Sequence, residues 1–267
     1  GQYTTVFRGS DGGSGAYSVM HIHDCIINCL EVAIQNPGIG STIDRCQIHR
    51  VAGGSATYIR GIWSQNTTSS GYRIDSCLMT GWYRYAIYAQ GSGANLVAVR
   101  NCTIIGHPSS TYGSGRAIYP VGTTNQITNT IVYSYAAADY KYGISVATSA
   151  MTNVRNCIVY GAYSTSEYLG TGAPTQTAQL EGQTEVTASG KTVFQDLAAG
   201  NYTPTVGGLA DGRGQTTLPN PATDLNGNAY AAVPSIGCIE LNTASGGGVR
   251  GESPYVNNMN NLNNLKL

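Results

Sequence analysis

Charge is what this sequence has least of. Charged residues make up 10% of its 267 residues, well under the roughly 25% of ordinary globular domains. Fourteen basic and fourteen acidic residues cancel, which argues against nucleic acid or an anionic membrane as an electrostatic partner. No apolar run approaches the roughly 20 residues that span a bilayer, so membrane insertion is not expected. Long amphipathic helical patterns are missing, and so is a signal-like hydrophobic segment. Starting at Gly1 without Met, the chain is expected to be processed or a fragment. Phe occurs 2 times and Trp 2 times, against 19 Tyr and 35 Gly. With Ser, Thr and Asn also abundant, this is an all-β composition with many turns, long enough to bury a substantial core.

Seven cysteines are present, an odd count whose spacing fits neither a disulfide knot nor a CxxC metal site. A repeat accounts for them better. The segments "HDCIIN", "DRCQIH", "DSCLMTG", "RNCTIIG", "TNTIVYS" and "RNCIVYG" align on Cys25, Cys46, Cys77, Cys102, Thr130 and Cys157. Two positions later stand Ile27, Ile48, Met79, Ile104, Val132 and Val159, and three positions earlier Ile22, Ile43, Ile74, Val99, Ile127 and Val154. Anchor and +2 position share the period of a strand face. The two residues before each anchor are mostly polar and read as a two-residue corner. Asn101, Asn129 and Asn156 stack there, because Asn tolerates left-handed φ and its amide can bond along a ladder. A further column, Ile34, Ile62, Ile87, Ile118 and Ile144, lies in "AIQ", "GIW", "AIY", "AIY" and "GIS". Three short strands per repeat, with turns of variable length, describe a parallel β-helix whose coils stack like on like. The cysteines then form an interior column of small hydrophobes.

These columns, spanning roughly residues 3–165, resemble the right-handed parallel β-helix, or pectin-lyase-like, repeat family. The resemblance implies an all-β solenoid of about six coils over 1–168, beginning with an incomplete coil at Val6 and Phe7 and a base without a cap of its own. A linker or wide loop follows at 169–190. Over 191–241, Phe194, Tyr202, Asp224, Gly227, Ile236, Gly237 and Glu240 resemble the C-terminal end-piece of proteins labelled choice-of-anchor Q. Cys238 and Ile239 depart from that pattern, as does Tyr230 where Arg is common. This piece is expected to cap the top coil. The Gly- and Asn-rich tail, 242–267, repeats Val256, Met259, Leu262 and Leu265 every three residues, a period of neither helix nor strand. It reads either as disordered or as an assembly arm that docks on a neighbouring subunit.

Many β-helix relatives cleave polysaccharides, with calcium-binding acids beside a basic residue or with paired carboxylates. The weak catalytic candidates here are Asp44 and Asp75 on adjacent rungs, with Arg100 one coil on. Calcium could sit between the acids, or Asp75 could simply pair with Arg100. No Asn-Thr-Asp, Asp-Asp, Gly-His-Gly or Arg-x-Lys set of the pectin hydrolases occurs. His49 and His107 read as loop histidines without a nucleophile, and no other cofactor is implied. Trp82, Tyr83, Tyr85, Tyr133, Tyr135, Tyr140, Tyr160 and Tyr163 follow the anchor strands and are expected to share one lateral side, suited to sugar stacking or to a subunit interface. The leading expectation is a non-catalytic extracellular scaffold in a multi-subunit assembly: a virion decoration or tail-spike-like component, or a bacterial surface or filament protein. Its partners would be copies of itself, other subunits and polysaccharide. The alternatives are a polysaccharide lyase or hydrolase, and a monomeric glycan-binding adhesin.

Overall fold

The computed structural model of the chain describes residues 5–241 apart from 10–17, 52–58, 66–70, 83, 91–96, 108–114, 122–124, 136–139, 151–153, 164, 172–179, 182, 215 and 217–219. Strand β1 (Thr5–Arg8) is followed by successive triplets: β2 (His21–His23), β3 (Ile26–Cys29), β4 (Val32–Gln35); β5 (Thr42–Asp44), β6 (Gln47–Arg50), β7 (Arg60–Ser64); β8 (Arg73–Asp75), β9 (Leu78–Thr80), β10 (Tyr85–Ala89); β11 (Ala98–Arg100), β12 (Thr103–Ile105), β13 (Gly115–Pro120); β14 (Gln126–Thr128), β15 (Ile131–Ser134), β16 (Tyr140–Ala150); β17 (Val154–Arg155), β18 (Cys157–Gly161), β19 (Ser166–Thr171). After β20 (Leu180–Glu181) come helix α1 (Gln183–Ser189) and the antiparallel pair β21 (Phe194–Asp196) and β22 (Asn201–Pro204).

From β1 to β16 each strand pairs in parallel with the strand three places on, and β18 pairs with β20. The first sheet runs β1-β4-β7-β10-β13-β16-β19, the second β2-β5-β8-β11-β14-β17, and the third β3-β6-β9-β12-β15-β18-β20. The protein is an all-β parallel solenoid. The columns read from sequence are its registers: Ile43 pairs with Ile74, Ile48 with Met79, Ile104 with Val132, and Ile62 with Ile87. Their side chains form one buried cluster along the axis.

The corner between the second and third sheets is tighter than the sequence suggests. His23, Asp44, Asp75, Arg100, Thr128 and Arg155 still belong to the second sheet. A single residue turns the chain: Asp24, Arg45, Ser76, Asn101, Asn129 and Asn156 all have φ between 49° and 54°. One left-handed residue suffices because it reverses the local twist without breaking the ladder. Its N–H donates to the carbonyl one coil up, as from Ser76 to Arg100 at 3.0 Å.

The anchor side chain then points inward. Cys46, Cys77, Cys102 and Cys157 are buried and all seven cysteines are free thiols. Each of the four thiols sits 3.2–3.3 Å from the carbonyl two residues back and 3.5–3.7 Å from a carbonyl of the coil below. Thr130 repeats the first contact, its hydroxyl donating to Thr128 at 2.9 Å. The column therefore needs a small side chain with a hydrogen to give, not merely a small apolar one.

The C-terminal piece does not lie across the top coil. It runs down the outside of the third sheet, where Leu78, Ile105, Ile131 and Ile158 pack against Val193, Phe194, Leu209, Ala210, Ile236, Cys238 and Ile239 in a second buried cluster. The corner residues tie it on. Arg45 and Ser76 donate to Thr223, and Ser76 also meets the Tyr230 hydroxyl. Asn129 donates to Asn220 and Asn156 to the Arg213 carbonyl. Gly237 N–H reaches the Asn129 carbonyl at 2.8 Å, so close to the sheet that a Cβ there would meet Ile131 and Thr103 at 2.9 Å. The reason is apolar area: a third sheet with Ile and Leu on both faces cannot leave the outer one in water.

Candidate functional site

Along the first sheet, Ile62, Ile87 and Ile118 point into the core, so the residue after each points outward. Those residues are Trp63, Tyr88 and Tyr119, and they are in register across three coils. The Tyr88 and Tyr119 rings stack at 5.5 Å with planes 2° apart. Tyr85, three residues earlier, stacks on Tyr88 at 4.7 Å and reaches Tyr119 at 6.3 Å. Cations flank the rings. The Arg60 guanidinium lies 3.9 Å from the Trp63 ring centroid and 5.3 Å from that of Tyr88. That of Arg116 lies 4.1 Å from Tyr119 and 5.6 Å from Tyr142. Arg84 approaches Tyr85, and Lys141 approaches Tyr142 at 5.5 Å. Partial burial, with Tyr85 adding to it, raises the Tyr88 pKa, so this ring remains a neutral phenol.

The six strands of this sheet from β1 to β16 carry Arg8, Arg60, Arg116 and Lys141 and no Asp or Glu. Acids collect elsewhere: Asp24, Asp44 and Asp75 around the opposite corner, and Asp196, Asp211, Asp224 and Glu240 in the C-terminal piece. The second-sheet acids are interleaved with Arg45, Arg73, Arg100 and Arg155, and the first sheet gains Glu167 only in its last strand, β19. A cationic face exists that overall composition does not reveal.

Of this ladder, only Tyr85 is among the contact residues expected from sequence. The signal for the others is visible nonetheless, as the last letter of "GIW", "AIY" and "AIY". The expected tyrosine side does not exist as one surface. Trp82 and Tyr140 lie inside the solenoid, Trp82 donating to the Ile48 carbonyl at 3.2 Å and the Tyr140 hydroxyl to the Trp82 carbonyl. Tyr163 packs on the same core and donates to Val132. Tyr133, Tyr135 and Tyr160 sit on the outer face of the third sheet under the C-terminal piece, with Tyr160 6.2 Å from Phe194 and the Tyr135 hydroxyl donating to Leu197. The turns before these residues differ in length, so similar spelling lands on different faces. Tyr83 and the tail residues Val256, Met259, Leu262 and Leu265 lie outside the described residues.

Asp44 and Asp75 are neighbours in register, with Arg100 next. Arg100 grips Asp75 through two bonds, 2.7 and 2.5 Å, in a pair about 10% exposed. Asp44 instead takes Arg45 at 2.9 Å, and burial raises its pKa. Asp75 thus has Arg100 to itself, while Asp44 shares Arg45 with Asp24, which holds that guanidinium at 2.7 and 2.6 Å. Among the described residues, no three His, Cys, Asp or Glu side chains converge as a metal site. His49 belongs to strand β6, not a loop. Burial lowers its pKa to about 4, and its ring nitrogens meet Thr80 at 2.7 Å and Gln47 at 3.4 Å. His107 is half-buried, which lowers its pKa.

In the C-terminal piece, Asp224 accepts the N–H groups of Asn226, Asn228 and Glu240. Glu240 accepts Ser235 N–H and hydroxyl, and burial pushes its pKa up to about 7. Both acids organise the loop that lies against the solenoid. Compared with known families, curated proteins and solved structures, the chain matches none.

Proposed function

We propose that this protein is a non-catalytic β-solenoid scaffold of pectin-lyase-like type, with a choice-of-anchor Q-like end-piece, that works outside the cell within a multi-subunit assembly of virion or cell-surface kind. Its working surface is the outer face of the first sheet, and the ligand is a polysaccharide carrying carboxylate or sulfate groups. The ladder of Trp63, Tyr85, Tyr88 and Tyr119 interleaved with Arg60 and Arg116 carries this reading. The Tyr85, Tyr88 and Tyr119 rings stack on one another and Trp63 lies buried under Arg60, so the ladder offers a sugar ring edges and tyrosine hydroxyls. Guanidiniums laid over the aromatic rings keep their N–H edges directed sideways, where a carboxylate or sulfate can meet them. Coils repeat about every 4.8 Å, close to the advance of one sugar unit in an extended chain, so a polysaccharide along the axis meets equivalent side chains coil after coil. The ion-paired Asp75 supports binding rather than cleavage.

Affinity electrophoresis through gels containing neutral or acidic polysaccharides tests the reading. Acidic polymers are expected to retard the native chain, and Tyr88→Ala with Tyr119→Ala to abolish most of the retardation while leaving the circular dichroism unchanged. Equal migration in every gel, or release of reducing ends, overturns it.

A further inference from the structure

We propose that Cys25 and Cys46 form a redox-modification site at the base of the solenoid, where a small disulfide such as oxidised glutathione converts the two thiols into a disulfide that joins the first two coils. The inference is independent of the glycan reading. Ile26 pairs with Gln47, so Cys25 and Cys46 hold equivalent positions on adjacent rungs. The rung spacing of about 4.8 Å lies inside the roughly 4.4–6.8 Å that a disulfide requires between Cα atoms. Both thiols face inward. Cys25 donates to the His23 carbonyl at 3.1 Å and Cys46 to that of Asp44 at 3.3 Å, and Cys46 also reaches the Ile22 carbonyl of the first coil at 3.7 Å.

Access singles out this pair. Six of the seven cysteines are buried, and Cys25 alone is partly open. Higher in the column the thiols are sealed, and Thr130 separates Cys102 from Cys157. An open strand edge favours the same pair. A disulfide draws Cβ atoms to roughly 3.5–4.5 Å, a little closer than two unlinked rungs stand. Among the described residues no strand pairs with the lower edge of β2 or β3, so the first coil can shift upward where an inner coil cannot.

The chemistry balances. The Cys25 thiolate attacks one sulfur of the glutathione disulfide and releases one glutathione thiolate, which takes up a proton, leaving a mixed disulfide. Cys46 gives up its proton to solvent and attacks the Cys25 sulfur, releasing the second glutathione. Two protein S–H groups are oxidised and one glutathione disulfide is reduced to two thiols. Burial, with Cys46 and Asp24 nearby, raises the Cys25 pKa, so the reaction is slow at neutral pH and accelerates as pH rises toward 9.

The test is to incubate the full chain with oxidised glutathione at alkaline pH and to map peptides without reduction. The expected product has lost two hydrogens, joins the peptides of Cys25 and Cys46, and melts roughly 5 °C higher, all reversed by dithiothreitol. Cys46→Ser is expected to stop at a stable glutathione adduct on Cys25, and Cys25→Ser not to react. Should Cys46→Ser fail to fold, Cys46→Thr replaces it, since the column already holds Thr130. A native chain that stops at the mixed adduct, leaves Cys25 unmodified, or bridges other cysteines overturns the proposal.

Discussion

The left-handed corner asks two things of a side chain: that it tolerate positive φ, and that it bond to what lies beside it. Asn101, with φ 51°, meets both, tolerating the angle and accepting from the Asn129 amide at 3.4 Å. Ala at that position is strained by about 1 kcal/mol relative to Gly. Asn101→Ala is therefore expected to unfold at lower denaturant than Asn101→Gly, although both lose the same amide. Equal midpoints would mean the corner is not where the strain sits. Tyr72 presents the opposite case. Its side chain is 1% exposed and its hydroxyl has no partner among the described residues, so burial raises its pKa. Removing an orphaned hydroxyl relieves desolvation that nothing offsets. Tyr72→Phe is expected to be neutral or to stabilise by up to about 1 kcal/mol, and a clear loss in chemical denaturation would reveal a partner for the hydroxyl.

At the scale of elements, the turn that clasps the third sheet carries its own pH response. Glu240, with its pKa near 7, holds a proton in the folded chain across the interval from about 4.5 to 7 where the unfolded chain has released it. The folded state then binds more protons, so this contribution falls as pH rises through that interval. His49 acts in the opposite sense. Its pKa near 4 leaves it uncharged where the unfolded chain, titrating near 6.5, takes up a proton, so its contribution is full above 6.5 and lost as pH falls toward 4. The two slopes largely cancel in the native chain. Glu240→Gln keeps an acceptor for Ser235 and removes only the falling contribution, leaving that of His49. Relative to the native chain, its stability is expected to improve by about 2 kcal/mol between pH 4.5 and 7, measured as denaturant midpoints at several pH values. A constant difference would mean that Glu240 is ionised in the folded protein throughout.

How the elements assemble was partly written in the sequence. Columns such as Cys46, Cys77 and Cys102, or Ile62, Ile87 and Ile118, encode register directly, because a solenoid repeats the same local environment at each coil. What faces outward was legible only where it repeats as well, which is why Trp63, Tyr88 and Tyr119 can be read from the letter after Ile while the scattered tyrosines mislead. Tyr85 and Tyr133 occur in similar phrases, "YRYAIY" and "TIVYSY", yet one lies on the first sheet and the other under the C-terminal piece. Loop length decides that, and loop length has no period. The course of the C-terminal piece was hidden for a related reason. Its partners, such as Thr223 on Ser76 and Gly237 on Asn129, are more than a hundred residues away from each other in the chain, and nothing local marks them.

For the molecule as a whole, the consequence is a division of labour between two outer faces. The first sheet keeps its aromatic and cationic ladder, while the third is apolar enough to need a cover, which the chain supplies from its own end. Leu78, Ile105, Ile131 and Ile158 are each at most 3% exposed with that cover in place. At about 25 cal/mol per Å² of apolar surface, returning four such side chains to water costs several kcal/mol and leaves a contiguous patch of the kind that drives self-association. Deleting 191–267 is therefore expected to give a solenoid that keeps its β-type circular dichroism, binds a hydrophobic dye and elutes as aggregates. Deleting 242–267 alone leaves the cover in place and should show no dye binding. If the longer deletion elutes as cleanly as the native chain without binding dye, the third sheet does not depend on its cover, and the end-piece must be retained for its own surface instead.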